Sequence, residues 1–249
     1  MITESFDNTT EPIINMEEFY GQRKHLLDIC LVIFSKSIYE TILEMYACRQ
    51  IAEIYAVNGV TPIYCFTHEK KDIAFYLSPL GSAGCAQDVI EANWMTGARH
   101  FIMFGSAGSL DGEKTDGKFV IPTEAYRDEG MSYHYAPPAD YIRVKNHGFV
   151  ADVCRELNIP FVEGRVWTTD AFLRETIGLY QKRKDEGCIA VEMEVAGVQA
   201  VCDFYGFMLY DFLATGDVLS EESYDAEGLK DANNNINKFH LALEIARRL

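Results

Sequence analysis

The sequence predicts an α/β layered fold in which helices pack on both sides of a mostly parallel or mixed central sheet. Two observations carry this. Short apolar or alternating runs of strand length recur along the chain, and segments of ten to fifteen residues with helical spacing separate them. No Pro-, Gly- or Ser-rich linker breaks the alternation, and 249 residues, 48% of them hydrophobic, suffice for one large core. The expected organisation is a single domain over 1–249 with a polar N-terminal arm at 1–24.

Taken in order, "LLDICLVIF" (26–34) is a β-like run, and "SIYETILEMYACR" (37–49) carries apolar residues at helical spacing. "TPIYCFTH" and "KDIAFYLSP" alternate around a charged turn at 69–71, which predicts a hairpin. "GCAQDVIEANWMTGA" (84–98) reads as a helix stopped by Gly97, and "RHFIMFG" (99–105) as a buried strand. "GKFVIPTEAYRDE" gives a further strand. After it come a helix near 146–157, a strand near 160–169, a helix near 174–184 and a strand at 188–192. The chain ends with a helix near 193–205, a strand at 207–214 and a long helix over 226–248. The tetrapeptide GSAG, at 81–84 and 105–108, reads as a small-residue turn after a strand in both places.

Composition excludes several functions. A formal charge of −16 and a pI near 4.7 oppose binding to nucleic acid or to anionic lipid. The start "MITESFDNTTEP" has no basic or apolar leader, and no apolar run reaches bilayer length, so a cytoplasmic protein with no membrane partner is expected. Seven cysteines without C-x-x-C spacing read as small buried hydrophobes. The scattered histidines offer no metal-ligand spacing, and no G-x-S-x-G or P-loop pattern occurs. The expectation is no metal and no cofactor.

In layered α/β folds ligands settle beyond the carboxyl ends of strands, so residues just past strand ends are the candidates for chemistry. Ser106, Ala107 and Gly108 follow a buried strand, where so little side chain allows backbone amides to form a concave donor site; a plain tight turn is the competing reading. In "VWTTDAFLRET" (166–176), Trp167 and Phe172 offer aromatic faces to a flat heterocycle, with Thr169 and Asp170 to read its edge. Against this, Phe172 suits a core and Asp170 suits a helix cap. "VEMEVAG" puts Glu192 and Glu194 at a strand-to-helix junction inside an apolar run, where a carboxylate accepts from helix amides or from the two vicinal hydroxyls of a ribose. Asp217, after the apolar run "LYDFLATG", is either a turn residue or an acid kept protonated by desolvation and ready to donate to a leaving group.

Together "GSAGSL", "GKFVIPTEAYRDEG" with "SYHY", "TTDAF", "VEMEVAG" and the aspartate after the last core strand resemble the purine nucleoside and uridine phosphorylase superfamily. That superfamily includes the methylthioadenosine/S-adenosylhomocysteine nucleosidases, and the resemblance runs from about 27 to 225. It implies a three-layer phosphorylase-like fold with a central mixed sheet. It implies that Glu194 holds the ribose hydroxyls with Met193 against the sugar and Glu192 in support. It further implies that Phe172 stacks on the base, that Asp217 is the general acid, and that Ser106, Ala107 and Gly108 line the nucleophile side. The implied activity is cleavage of the N-glycosidic bond of a purine or pyrimidine nucleoside with inorganic phosphate as co-substrate. A homo-oligomer is implied as well.

The chain departs from the pattern at the phosphate. Phosphorolytic members carry arginines in the loop after the first strand and in the strand before the small-residue turn; here "FSKSIYE" and Met103 stand there. Lys36 and Arg174 are the candidate replacements, Lys36 as a point charge without arginine's fork. Gly216 stands where a serine commonly precedes the acid. Two alternatives stay open: hydrolysis by water, which needs no cation, and nucleoside binding without turnover.

Overall fold

A computed structural model describes all 249 residues. The first half contains α1 (Met16–Tyr20), β1 (Ile29–Ile33), α2 (Lys36–Met45), β2 (Arg49–Ala56), β3 (Gly59–His68), β4 (Lys71–Leu77), α3 (Ser82–Thr96), β5 (His100–Ser109) and α4 (Gly112–Thr115). Next come β6 (Phe119–Asp128), α5 (Ser132–Tyr135), β7 (Tyr141–Arg143), α6 (His147–Glu156), β8 (Phe161–Thr169) and α7 (Ile177–Asp185). The last part contains β9 (Cys188–Glu192), α8 (Val195–Tyr205), β10 (Met208–Leu219), β11 (Tyr224–Asp225), α9 (Leu229–Asn234) and α10 (Asn237–Arg248).

The layers follow from alternation along the strands. In β1, Ile29, Leu31 and Ile33 join one apolar cluster, with residues of α2, α6 and α10, while Cys30 and Val32 join another, with residues of α3 and α8. Both faces of the sheet are therefore covered by helices, as expected, and β1 reads as an unbroken apolar run. The strand order is β11-β10-β6-β8-β9-β5-β1-β4-β3-β2, with β7 on β6. β10 also pairs with β5, so β5, β10, β6, β8 and β9 close into a ring and lose their free edges. Parallel pairs (β1 with β4 and β5, β6 with β8) and antiparallel ones (β5 with β9, β6 with β10) make the sheet mixed. The hairpin expected at 69–71 is β3–β4, closed by Glu69 and Lys70 at positive φ, and α3 stops at Gly97.

Four readings are corrected. The first helix ends at Met45, and "RQIAEIYA", unread as structure, forms β2 and extends the hairpin. The segment 105–108 is not a turn: β5 continues through it, with Gly105, Ser106 and Ala107 opposite Leu213, Ala214 and Thr215, and Gly108 opposite Val191. Ladder pairing, with β10 at Gly105–Ala107 and with β9 at Gly108, holds this backbone extended rather than turned. The earlier GSAG is the start of α3 rather than a free turn. The long C-terminal helix is two, α9 and α10, separated at Asn235 and Ile236.

β10 likewise runs past Thr215 to Leu219, but its pairing with β5 shifts register between Thr215 and Val218. Such a bulge re-aims the side chain it contains, here Asp217. Gly216 permits it by close approach, since a Cβ there would lie 2.6 Å from Ala232 Cβ and 2.8 Å from Leu229 Cα. Gly216→Ala is expected to destabilise the protein by about 1–3 kcal/mol through overpacking. Equilibrium denaturation checks this, and an unchanged midpoint contradicts it.

Candidate active site

A cavity of about 860 Å³ opens at the ends of β1, β5, β9 and β10. Glu194 and Met193 line it from the β9–α8 junction, Asp217 from the β10 bulge, Phe172 from the short turn after β8, and Ser106, Ala107 and Gly108 from β5. Residues far apart in sequence thus share one wall because their strands run side by side.

The junction explains why two glutamates sit in an apolar run. Glu192, buried, accepts from the backbone amides of Glu194 at 2.6 Å and Val195 at 2.7 Å, which are among the unpaired donors at the start of α8. Its other oxygen takes the hydroxyl of Thr168, whose oxygen in turn accepts from the amide of Ala196 at 3.1 Å. Burial and the Glu194 carboxylate push the Glu192 pKa up, against the pull of these three donors. Glu192 is therefore occupied by the chain itself. Glu194 is held by one contact from elsewhere: the amide of Gly81, just before α3, donates to its Oε1 at 2.6 Å. Burial raises the Glu194 pKa to about 7, opposed by the Gly81 and Met193 amides.

At the far end Asp217 is half-buried, and Gly108 makes room for it: a Cβ on Gly108 would come within 3.2 Å of Asp217 Oδ2. Glu175 lines the same region, and burial followed by the charge of Asp217 pushes its pKa to about 7. A carboxyl raised by burial beside a second acid in a cleft is suited to hold and deliver a proton. Glu175 lies within the quoted "VWTTDAFLRET" but was not singled out; its signal was an acid three residues past the candidate stacking aromatic.

Other expected site residues lie elsewhere. Trp167 is buried among Leu110, Tyr180, Cys188 and Val191, with its Nε1 donating to Asp128 at 3.0 Å, so it does not line the cavity. Thr169 Oγ1 accepts from the Ala171 amide at 3.2 Å, and Asp170 accepts from the Gly130 amide at 3.0 Å; both pin the turn that carries Phe172 without lining the cavity. Lys36 stands at the rim with its side chain 76% exposed and paired with Glu40 at 3.5 Å. Arg174 is exposed and outside the cavity. The "SYHY" segment is α5, anchored by Arg127, whose Nη1 donates to the Pro137 carbonyl at 2.7 Å. No helix is long and apolar enough to cross a membrane.

Known proteins resemble this chain in sequence and in fold. A DeoD-type purine nucleoside phosphorylase of Exiguobacterium sibiricum is 26% identical over 231 residues, covering 86% of this chain and 90% of its own. Among solved structures, the purine nucleoside phosphorylase of Toxoplasma gondii in complex with immucillin-H superposes with a TM-score of 0.74 at 20% identity, over 94% of this chain and 97% of that one. The 5′-methylthioadenosine/S-adenosyl homocysteine nucleosidase of Campylobacter jejuni gives 0.72 at 18% identity, over 90% and 100%. The family model described as the phosphorylase superfamily matches residues 28–247, and the chain belongs to that superfamily.

Proposed function

We propose that the protein cleaves the N-glycosidic bond of a purine nucleoside with inorganic phosphate, releasing the free base and a pentose 1-phosphate. The observation that carries this reading is that Glu194 and Asp217 line one cavity from two different strand ends, with Phe172 at its mouth. Glu194 accepts from the two ribose hydroxyls, Met193 packs on the sugar, and Phe172 covers the base. As the C1′–N bond breaks, positive charge grows on the sugar and negative charge on the base, as in other oxocarbenium-like reactions. Glu194 fixes the sugar and keeps a carboxylate near the developing cation, while Asp217, backed by Glu175, gives a proton to the departing nitrogen. A phosphate oxygen then closes the new C1′–O bond. The names of the curated relatives support purine over pyrimidine. The exposure of Phe172, Leu173 and Ile177 beside the mouth supports a homo-oligomer in which a second copy covers this rim.

Hydrolysis is the second reading, favoured by Met103, which is buried in β5 with its sulfur 4.0 Å from Cys85 Sγ where phosphorolytic relatives are expected to have an arginine. Free base followed by absorbance over a nucleoside panel, with and without phosphate, separates the two. Release only with phosphate supports the proposal, release regardless of phosphate means water attacks, and saturable binding without release means a sensor.

Asp217→Asn is expected to lower turnover about 10²- to 10⁴-fold while the thermal transition stays in place. Wild-type turnover in that variant removes the acid role. Glu194→Gln is expected to raise the nucleoside KM about 10- to 100-fold, the scale of hydrogen bonds to a charged acceptor. Glu194 also predicts two opposite pH dependences. Its pKa is raised from 4.5 to about 7 on folding, so its contribution to stability is present below 4.5 and lost as pH rises through 7. Nucleoside binding strengthens over the same rise, because the ionised carboxylate is the better acceptor. Both slopes flatten in Glu194→Gln, and a wild-type KM that is constant from about pH 5.5 to 8.5 contradicts the assignment.

A further inference from the structure

The C-terminal segment "DANNNINK" (231–238) brings a cation to the cavity that neither Lys36 nor Arg174 supplies. Lys238 recurs with Ala242 and Ile245 on the buried face of α10 and is itself only 2% exposed. Lysine is almost never so buried without a partner. None of the ion pairs in the chain includes it. Its one acceptor in the chain is the carbonyl of Asn233 at 3.3 Å.

Asn233 ties this lysine to β5, since its side-chain oxygen takes the hydroxyl of Ser106. Its neighbour Asn234 accepts from the hydroxyl of Ser35, just past β1, at 3.0 Å. β1 and β5 run parallel, with Ile33 opposite Phe104, so Ser35, just past β1, and Ser106, two residues further along β5, follow the end of their shared ladder. All five residues line the cavity. The break between α9 and α10 is what lets one short segment present both asparagines and the lysine there. Apart from Lys36, turned to Glu40, the other charged residues lining the cavity are acids, among them Glu194 and Asp217.

We propose that Lys238, with the hydroxyls of Ser106 and Ser35, forms the seat for inorganic phosphate at the β1–β5 end of the cavity, in place of the arginines that phosphorolytic relatives are expected to carry. This rests on the nucleoside-cleaving reading of the same cavity and assigns its nucleophile. A bound dianion supplies the charge partner that the buried ammonium lacks, and each hydroxyl, on turning from its asparagine oxygen, donates its one proton to the anion. Burial alone lowers the Lys238 pKa to about 8, which leaves the ammonium mostly charged at neutral pH.

The test titrates inorganic phosphate by calorimetry, without nucleoside, into the wild type, Lys238→Met and Lys238→Arg, with sulfate as a second probe. Phosphate affinity is expected to fall about 10- to 100-fold in Lys238→Met and to be largely kept in Lys238→Arg. Where a nucleoside is turned over, the KM for phosphate rises by the same factor while the nucleoside KM stays within about threefold. Without phosphate, Lys238→Met is expected to melt at or above the wild-type temperature, since it removes an unpaired buried charge. If that variant does not fold, Ser106→Ala carries the comparison, with an affinity loss of about fivefold or more. Phosphate bound equally by wild type and variant, or not bound by the wild type at millimolar concentration, overturns the proposal. Lys238-dependent phosphate binding with no base released from any nucleoside leaves the seat standing and removes the nucleoside reading instead.

Discussion

The hydrogen-bonded junction between β9 and α8 is the constraint on which the site depends. Glu192 satisfies the first amides of α8 and Thr168 locks it in place, so the chain turns sharply from a buried strand into a buried helix. That turn leaves Met193 and Glu194 at the cavity wall, with Gly81 holding the second carboxylate. Losing the carboxylate of Glu192 would leave helix amides unpaired in the interior and also release the aim of Glu194. One glutamate organises backbone so that the next is available to a ligand.

Several buried acids lie close together at and beneath the cavity, and burial and hydrogen bonding set them apart. Asp211, on β10, is fully buried with no hydrogen-bond partner for either oxygen, and burial with the charges of Glu192 and Glu194 pushes its pKa well above the usual range. Glu192, by contrast, has three donors, and these oppose the upward push of burial on its pKa. At the opposite end Glu175 and Asp217 form a second pair. An active site built from carboxyls needs such separation, because adjacent acids cannot all ionise at once, and a cation placed among them attracts whatever anion the reaction consumes.

Much of the fold was legible because burial imposes regular patterns. The apolar run of β1, the hairpin around 69–71 and the glycine stop of α3 each reflect a local constraint that a sequence displays. Readings failed where tertiary pairing overrode local preference. Segment 105–108 looked like a turn because glycine and serine favour turns, yet β10 and β9 claim its backbone for the ring. Trp167 looked like a ligand platform, but its position on β8 points it into a small core under Leu110 and Tyr180. Glu194, Asp217 and Phe172 were singled out by motifs that carry chemistry as well as geometry, and all three line the cavity. Lys238 was not singled out because its segment was read only as one long helix; a lysine recurring with Ala242 and Ile245 on the apolar stripe was the available signal.

The central claim is that residues 194 and 217 act on opposite ends of one nucleoside. The most direct measurement is a crystal structure with a purine nucleoside, or a stable analogue of one, bound in the cavity. The account predicts ribose hydroxyls within hydrogen-bond reach of the Glu194 carboxylate, the base over Phe172, and a ring nitrogen facing Asp217. A nucleoside bound with its sugar away from Glu194, or with Asp217 turned to solvent beyond reach of the base, would contradict it.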